Sequence, residues 1–229
     1  MTEEILSQGA EAVIERRGNE IIKKRIEKSY RIKEIDERIR KLRTRSEAKI
    51  LEKASKVIPV PKVLKIDENK KEIIMETIEG KRLSDSLGSF SLQKQKAVCE
   101  KIGENIAKIH NESIIHGDLT PSNMILVEDD NEKTPNEYAR LDNREREKRG
   151  DIFQIFFIDF GLGFISAKIE DKAVDLHLLR EAIEANFSKN WEILFDSVIK
   201  GYSKICKDSK IVLERFKAVE KRGRYKQGS

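Results

Sequence analysis

Two short polar motifs, each at the end of an apolar run, limit what this chain can fold into. The first is Ile115-His116-Gly117-Asp118-Leu119-Thr120-Pro121-Ser122-Asn123, followed by an apolar strand that begins at Met124. The second is Phe156-Phe157-Ile158-Asp159-Phe160-Gly161, an apolar strand that ends in Asp-Phe-Gly. Setting these strands side by side brings Asp118, Asn123 and Asp159 to neighbouring strand ends. Two carboxylates and an amide grouped in this way suit phosphoryl transfer. That reaction needs oxygen ligands for magnesium and one carboxylate beside the attacking oxygen, and little covalent chemistry from the protein. Either motif alone would pass for an ordinary turn. An Asp with an Asn five residues on, then a distant Asp-Phe-Gly, is the order in which a catalytic loop and a metal loop occur.

Composition removes several other classes. The chain has 229 residues, 38% hydrophobic and 38% charged, so it is a heavily charged globular protein and not a disordered one. No apolar run approaches the ~20 residues of a membrane span, and Met1-Thr2-Glu3-Glu4 does not open a signal peptide. Cys99 and Cys206 suggest two reduced thiols, and a cytoplasmic location is expected. Three His and two separated Cys do not make a zinc site. The net charge of +5 is uneven: residues 23–53 hold 13 Lys/Arg against 6 Asp/Glu, and residues 215–226 hold 6 against 1. That asymmetry favours a polyanionic partner, although a solvated helix face would look the same.

Read in order, residues 3–25 predict a β-meander with a turn at Arg17-Gly18-Asn19. A phosphate loop would sit at Gln8, Gly9, Ala10 and Glu11, where one glycine remains of the usual three. Lys23 follows two β-branched residues in a strand, the place of a phosphate-binding lysine. Lys24 and Arg25 adjoin it, and strand alternation puts Lys23 and Arg25 on one face. The spacing predicts a helix over 34–56 with Ile35, Ile39 and Leu42 on its apolar side, and with Glu47, Ile50, Leu51 and Ala54 continuing inward. A buried Glu47 needs a cation, and Lys23 is the natural one. Pro59 and Pro61 end the helix. Strands are predicted at 62–66 and 72–75, and Met75-Glu76-Thr77-Ile78-Glu79-Gly80 then leaves the first lobe as a hinge. In a kinase, the class that the two motifs suggest, this is the hinge whose backbone groups, here around Glu76 and Ile78, read adenine. Ser91 is the expected N-cap of a helix that runs to His110. Residues 128–154 are charged and lack a period, as a flexible inserted loop would. Helices are predicted at 175–187, 191–206 and near 211–219, followed by a basic tail over 220–229 that is loose at its end.

These residues resemble a particular family. Gln8-Gly9-Ala10-Glu11-Ala12, Ile22-Lys23-Lys24-Arg25, Lys28-Ser29-Tyr30-Arg31, His116-Gly117-Asp118-Leu119-Thr120, Ser122-Asn123-Met124, Ile158-Asp159-Phe160-Gly161-Leu162, Glu170-Asp171-Lys172-Ala173-Val174-Asp175-Leu176 and Arg222-Gly223-Arg224 are similar to the small atypical Ser/Thr kinase and ATPase of the KEOPS complex, a relative of RIO-type kinases. The resemblance covers nearly all of the chain except 128–154. It implies an α+β, minimal two-lobed protein-kinase-like fold: a small β-rich N-lobe with one helix over 1–79 and a mostly helical C-lobe over 80–229. It implies ATP and Mg²⁺ as cofactors, ATP hydrolysis, and a supporting role in threonylcarbamoyl modification of adenosine 37 in transfer RNA. By position, Lys23 would hold the phosphates, Glu47 would orient Lys23, Asp118 would be the catalytic base, and Asn123 and Asp159 would hold magnesium. The implied partners are a threonylcarbamoyl-transferase subunit on the C-lobe, a small regulatory subunit on the N-lobe, and transfer RNA through the assembled complex; no membrane is expected. Thr120 stands where ordinary kinases have a catalytic-loop Lys, and only residues 162–174 separate Gly161 from Asp175, so no activation segment is present. A Ser/Thr protein kinase with external substrates, and a scaffold with a vestigial site, are the competing readings.

Overall fold

The computed structural model describes residues 3–128 and 153–226, with side chains over 4–128 and 153–222. The chain opens on strands β1 (Glu3–Gln8), β2 (Ala12–Arg17) and β3 (Glu20–Arg25), the expected meander. The β2–β3 turn places Gly18 at φ 61°, a left-handed backbone that favours glycine at the first position of a two-residue hairpin loop. Helix α1 (Lys33–Ala54) and strands β4 (Val63–Asp67) and β5 (Glu72–Glu76) complete a five-stranded antiparallel sheet in the order β1-β2-β3-β5-β4.

The half of the molecule after Gly80 is mainly helical. Short β6 (Lys81–Arg82) and α2 (Leu83–Ser86) lead to α3 (Leu92–Asn111), whose N-cap Ser91 accepts a hydrogen bond from the Lys94 amide at 3.4 Å. Strand β7 (Ile114–Ile115) enters the first motif. Strands β8 (Met124–Glu128) and β9 (Phe153–Phe157) form an antiparallel hairpin in register Met124↔Phe157 to Glu128↔Phe153. Strand β10 (Phe164–Ile165) pairs with β7, and α4 (Ile169–Asn186), α5 (Trp191–Ile205) and α6 (Ser209–Lys226) close the fold. One cluster of buried apolar side chains runs from Ala48 and Leu51 on α1 through Ile102 and Ile106 on α3 to Val198 on α5. Helices α3 and α5 cross with their backbones pressed together: a Cβ on Gly103 would lie 1.9 Å from the Val198 carbonyl oxygen, and one on Gly201 1.9 Å from that of Glu100. Cys99 and Cys206 are free and buried, and burial pushes the Cys99 thiol up to about 12. No helix among the described residues is long and apolar enough to cross a membrane.

Three expectations need correction. The stripe Ile35, Ile39, Leu42 does not face inward: Ile35 and Leu42 are 51% and 53% exposed. Asp36 takes the buried position there, paired with Arg40 at 2.6 Å and Arg31 at 3.4 Å, and spacing cannot tell a satisfied polar stripe from an apolar one. Glu128, Phe153 and Gln154, assigned to the insert, are strand residues of the hairpin; 129–152 lie outside the described residues. Helix α4 starts at Ile169, before the predicted 175. Residues 220–226 of the basic tail continue α6, and 227–229, where its loose end is expected, lie outside the described residues. Arg222 binds Glu170 at 2.5 Å beside Arg215.

Candidate active site

The site begins with β3. Alternation turns Lys23 and Arg25 inward and Lys24 outward, and both inward cations are buried, 6% and 5% exposed. Helix α1 crosses beneath them and presents Glu47, 2% exposed. Lys23 Nζ binds Glu47 Oε1 at 2.6 Å and Asp159 Oδ1 at 2.5 Å, while Arg25 binds Glu47 Oε2 at 2.5 Å. Burial works against the ammonium of Lys23, but Glu47 and Asp159 outweigh it and raise its pKa. Burial likewise works against a charged Asp159, yet Lys23 holds that carboxyl below the usual range. Lys23 and Asp159 are therefore both ionised at neutral pH.

Asp159 sits at φ 60°, a conformation that Asp tolerates better than bulkier residues, and one that turns its side chain off the β9 line. The Ile158 amide donates to the Asn123 carbonyl at 2.9 Å, which fixes the two motifs side by side. Within the first motif, Asn123 Nδ2 donates to the Asp118 carbonyl at 3.0 Å and to Asp118 Oδ2 at 2.9 Å. Gly117 has φ 79°, and a Cβ there would meet the Leu162 carbonyl oxygen at 2.5 Å, so only glycine fits between the motif and the chain beyond Gly161. Asp175 of α4 clamps the loop from below. Its Oδ2 accepts from the His116 amide and its Oδ1 from the Gly117 amide, both at 2.9 Å. The Asp175 carboxylate in turn meets His110 Nε2 at 3.1 Å, and His110 Nδ1 meets the Tyr202 hydroxyl at 3.0 Å. His116 donates from Nε2 to the Ile158 carbonyl at 3.1 Å and accepts at Nδ1 from the Asp118 amide at 3.3 Å, so this buried ring serves the loop as the neutral tautomer.

A cavity of about 400 Å³ opens between the sheet and the helical half, the size of an ordinary small-molecule site. Lys23, Glu47, Asn123 and Asp159 lie at one end, and Met75, Glu76, Thr77 and Ile78 line it as well. Ile14, Ile21 and Ile125 supply apolar wall. Asp118 is not on the wall but is bonded to Asn123, which is. Gln8, Gly9, Ala10 and Glu11 are also off the wall; Leu6 and Ser7 take that place, after a register shift in β1 between Ile5 and Ser7. The turn itself is fastened from outside: Glu11 binds Arg43 of α1 at 2.6 Å, and Lys28 reaches the Ala10 carbonyl. The Glu76 amide donates to the Lys62 carbonyl at 3.1 Å, so that amide is engaged within the sheet.

Sequence reasoning placed Thr77 in the hinge and Ser122 in the first motif but gave no role to their side chains or to Arg16 and Arg82, all of which line the cavity. It also missed Arg25 as a partner of Glu47, although the alternation that placed Arg25 beside Lys23 was the available signal. The Thr77 hydroxyl is buried without a partner among the described residues, and a buried hydroxyl left unpaired is costly. A ligand with a polar edge in this cavity would satisfy it. The described residues hold no cluster of three His, Cys, Asp or Glu poised for a metal. A magnesium ion carried by phosphates needs only one or two protein ligands and keeps several waters. Asp159 and the Asn123 amide oxygen, left free by the donation from Nδ2 to Asp118, fit that demand.

A protein kinase domain matches residues 5–165. The chain is 39% identical over 212 residues to the KEOPS complex subunit Bud32 of Pyrococcus abyssi, covering 91% of this chain and 86% of that one. It is 36% identical to a probable bifunctional tRNA threonylcarbamoyladenosine biosynthesis protein of Methanobrevibacter smithii, covering 98% of this chain and 37% of that longer protein. Among solved structures, the Rio2 kinase–ADP/Mg2+–phosphoaspartate complex from Chaetomium thermophilum aligns with a TM-score of 0.61 at 13% identity, over 96% of this chain and 70% of the other, which is a likeness of fold. The sheet with one crossing helix, the helical half below it and the two polar motifs between them are the kinase arrangement in its smallest form, and the chain belongs to the Bud32 family of protein kinases.

Proposed function

We propose that this chain is an ATP-dependent Ser/Thr phosphotransferase that acts chiefly as an ATPase within a cytoplasmic KEOPS-type assembly and supports threonylcarbamoyl modification of adenosine 37 in transfer RNA. The observation that carries the catalytic part is the buried Lys23–Glu47 pair, joined by Asp159 at the cleft surface, beside the Asp118–Asn123 pair. Adenine would lie against Ile14, Ile21 and Ile125 with its polar edge toward the Met75–Ile78 backbone and the Thr77 hydroxyl. Lys23, held charged and aimed by Glu47, would take phosphate oxygens as a fixed cation. Asn123 and Asp159 would hold magnesium, which supplies neutralisation of charge on the phosphates. Asp118, oriented by Asn123 and by the clamp from Asp175, would accept the proton of the attacking hydroxyl or water as the bond between the γ-phosphorus and the β-bridging oxygen breaks.

The assembly part is supported by the names of the relatives, a KEOPS subunit and a threonylcarbamoyladenosine biosynthesis protein. On this reading the helical half, from Gly80 on, docks the transferase subunit, the sheet half docks a small regulatory subunit, and transfer RNA is met through the whole complex. Residues 162–168 alone join Gly161 to α4, with two of them in β10, which leaves little platform for an external peptide and favours water as the attacking group. Measuring ATP turnover of the chain alone, and then with the transferase subunit and transfer RNA, tests the reading. Turnover stimulated by the assembly supports it, and turnover indifferent to the assembly but fast on an added protein substrate overturns it.

A further inference from the structure

Glu47 is held by two cations, where the proposed chemistry needs one. Lys23 takes Oε1 at 2.6 Å, and the Arg25 guanidinium takes Oε2 at 2.5 Å. The same guanidinium also reaches the Arg43 carbonyl at 3.5 Å, so one side chain on β3 touches two points of α1 a single helical turn apart. Arg25 is 5% exposed. We propose that Arg25 is a positioning residue: it anchors Glu47 and α1 to β3 independently of Lys23, and so leaves Lys23 free to serve phosphate oxygens. This inference rests on the functional reading above.

Lys23 and Arg25 face Glu47 and Asp159, two cationic side chains against two carboxylates, with only Asp159 open to the cleft. On the functional reading above, Asp159 would hold a metal ion and Lys23 would take phosphate oxygens. A buried carboxylate with a single cation would bind it tightly, because the alternative is an unpaired charge out of water. Phosphates would then compete with Glu47 for the one ammonium. With Arg25 already on Oε2, Glu47 stays neutralised while Lys23 shares its donors. A single nitrogen of the Arg25 guanidinium, Nη2, makes both contacts, and the rigid planar group fixes its direction, whereas a lysine ammonium is a point charge on a flexible stem. The turn of α1 that Arg25 grips also carries the Arg43 side chain on Glu11, which ties the β1–β2 turn to the same support. Arg25 thus supplies from within the sheet half the docking of α1 that ordinary kinases place under control of a long activation segment, which the short 162–168 connection does not provide.

The test is calorimetric binding of Mg·ATP, Mg·ADP and adenosine to the full chain, wild type against Arg25→Met, Arg25→Lys, Glu47→Gln and Arg25→Met/Glu47→Gln. The expected result is that R25M weakens ATP and ADP by about tenfold or more while adenosine changes by less than about twofold, since adenosine has no phosphate for Lys23. R25K, which keeps the charge and loses the rigid planar group, should fall between; it also decides the matter if R25M does not fold. In the E47Q background, R25M should add less than about twofold, because its effect passes through Glu47. Unchanged ATP affinity in R25M, equal weakening of ATP and adenosine in either Arg25 variant, or full additivity with E47Q would each overturn the inference. A wild-type chain that binds no ATP would overturn the functional reading itself, a separate and recognisable outcome.

Discussion

Gly103→Ala adds one methyl group where α3 crosses α5, and the structure gives the size of the insult. The new Cβ would lie 1.9 Å from the Val198 carbonyl oxygen and 2.7 Å from the Tyr202 nitrogen. Both are backbone atoms, so no side chain can rotate away. A tolerable carbon–oxygen contact is about 3.3 Å, so the helices must part by roughly 1.4 Å. Overpacking a close-packed interior costs about 1–3 kcal/mol, and a clash with main chain belongs at the top of that range. For a domain of this size about 3 kcal/mol corresponds to a fall in Tm of ~6–12 °C. The damage should reach the site as well. Helix α3 carries His110, α5 carries Tyr202, and their 3.0 Å contact backs Asp175, which clamps the His116 and Gly117 amides. ATP turnover should therefore fall at temperatures below the melting transition. Gly201→Ala meets the Glu100 carbonyl in the same way, and the double variant should cost less than the two single losses together, because helices already parted make room for the second methyl. Differential scanning calorimetry with turnover on the same samples decides. A Gly103→Ala protein that melts within about 2 °C of wild type would refute the packing argument.

The other expected outcomes are briefer. Ser91→Ala removes the N-cap of α3 and should lower stability by about 1 kcal/mol with kcat unchanged, as measured by denaturant unfolding and turnover. Burial holds the His116 ring below its usual pKa of 6.5, against the pull of Asp175 and the Ile158 carbonyl, so below that pH the unfolded chain binds a proton that the folded chain refuses. Stability should then fall as pH drops from 6.5 to the folded pKa, by at most about 1.4 kcal/mol per pH unit, and His116→Gln should flatten that slope in Tm measured between pH 7.5 and 5. Lys23→Ala and Glu47→Ala should each cut turnover, with the double variant losing less than the product of the two; fully multiplicative losses would show that the 2.6 Å pair does not act as a unit.

Much of the sheet half was legible because its signals are local. A glycine turn, alternating β-branched residues and two prolines after a helix fix β1 to β5 with little help from elsewhere. The pairing of Lys23 with Glu47 was legible too, since a carboxylate on an inward face needs a cation. What stayed hidden depends on contacts between distant residues. Spacing on α1 marked Ile35 and Leu42 as inward, and only the folded chain shows Arg31 and Arg40 satisfying Asp36 there instead. The His110–Asp175–Tyr202 chain links three helices and leaves no trace in any one of them; His110 read as an ordinary helix-end residue. The pairing of Arg222 with Glu170, 52 residues upstream, is likewise invisible in a count of basic residues. Thr77 and Arg82 are visible as cavity residues only once the two halves are set together.

On the proposed function, Asp159, held charged by Lys23, would be the residue on which magnesium-dependent ATP hydrolysis in this cleft depends. Asp159→Asn keeps the shape of the side chain and removes the charge. Asp159 is nearly half exposed at its side chain, so the fold should survive with Tm close to wild type. Steady-state ATP hydrolysis with saturating magnesium is the measurement. The account predicts a fall of at least about a hundredfold, close to 3 kcal/mol of barrier, in a protein that still binds adenosine. Turnover near that of the wild type in Asp159→Asn would contradict it.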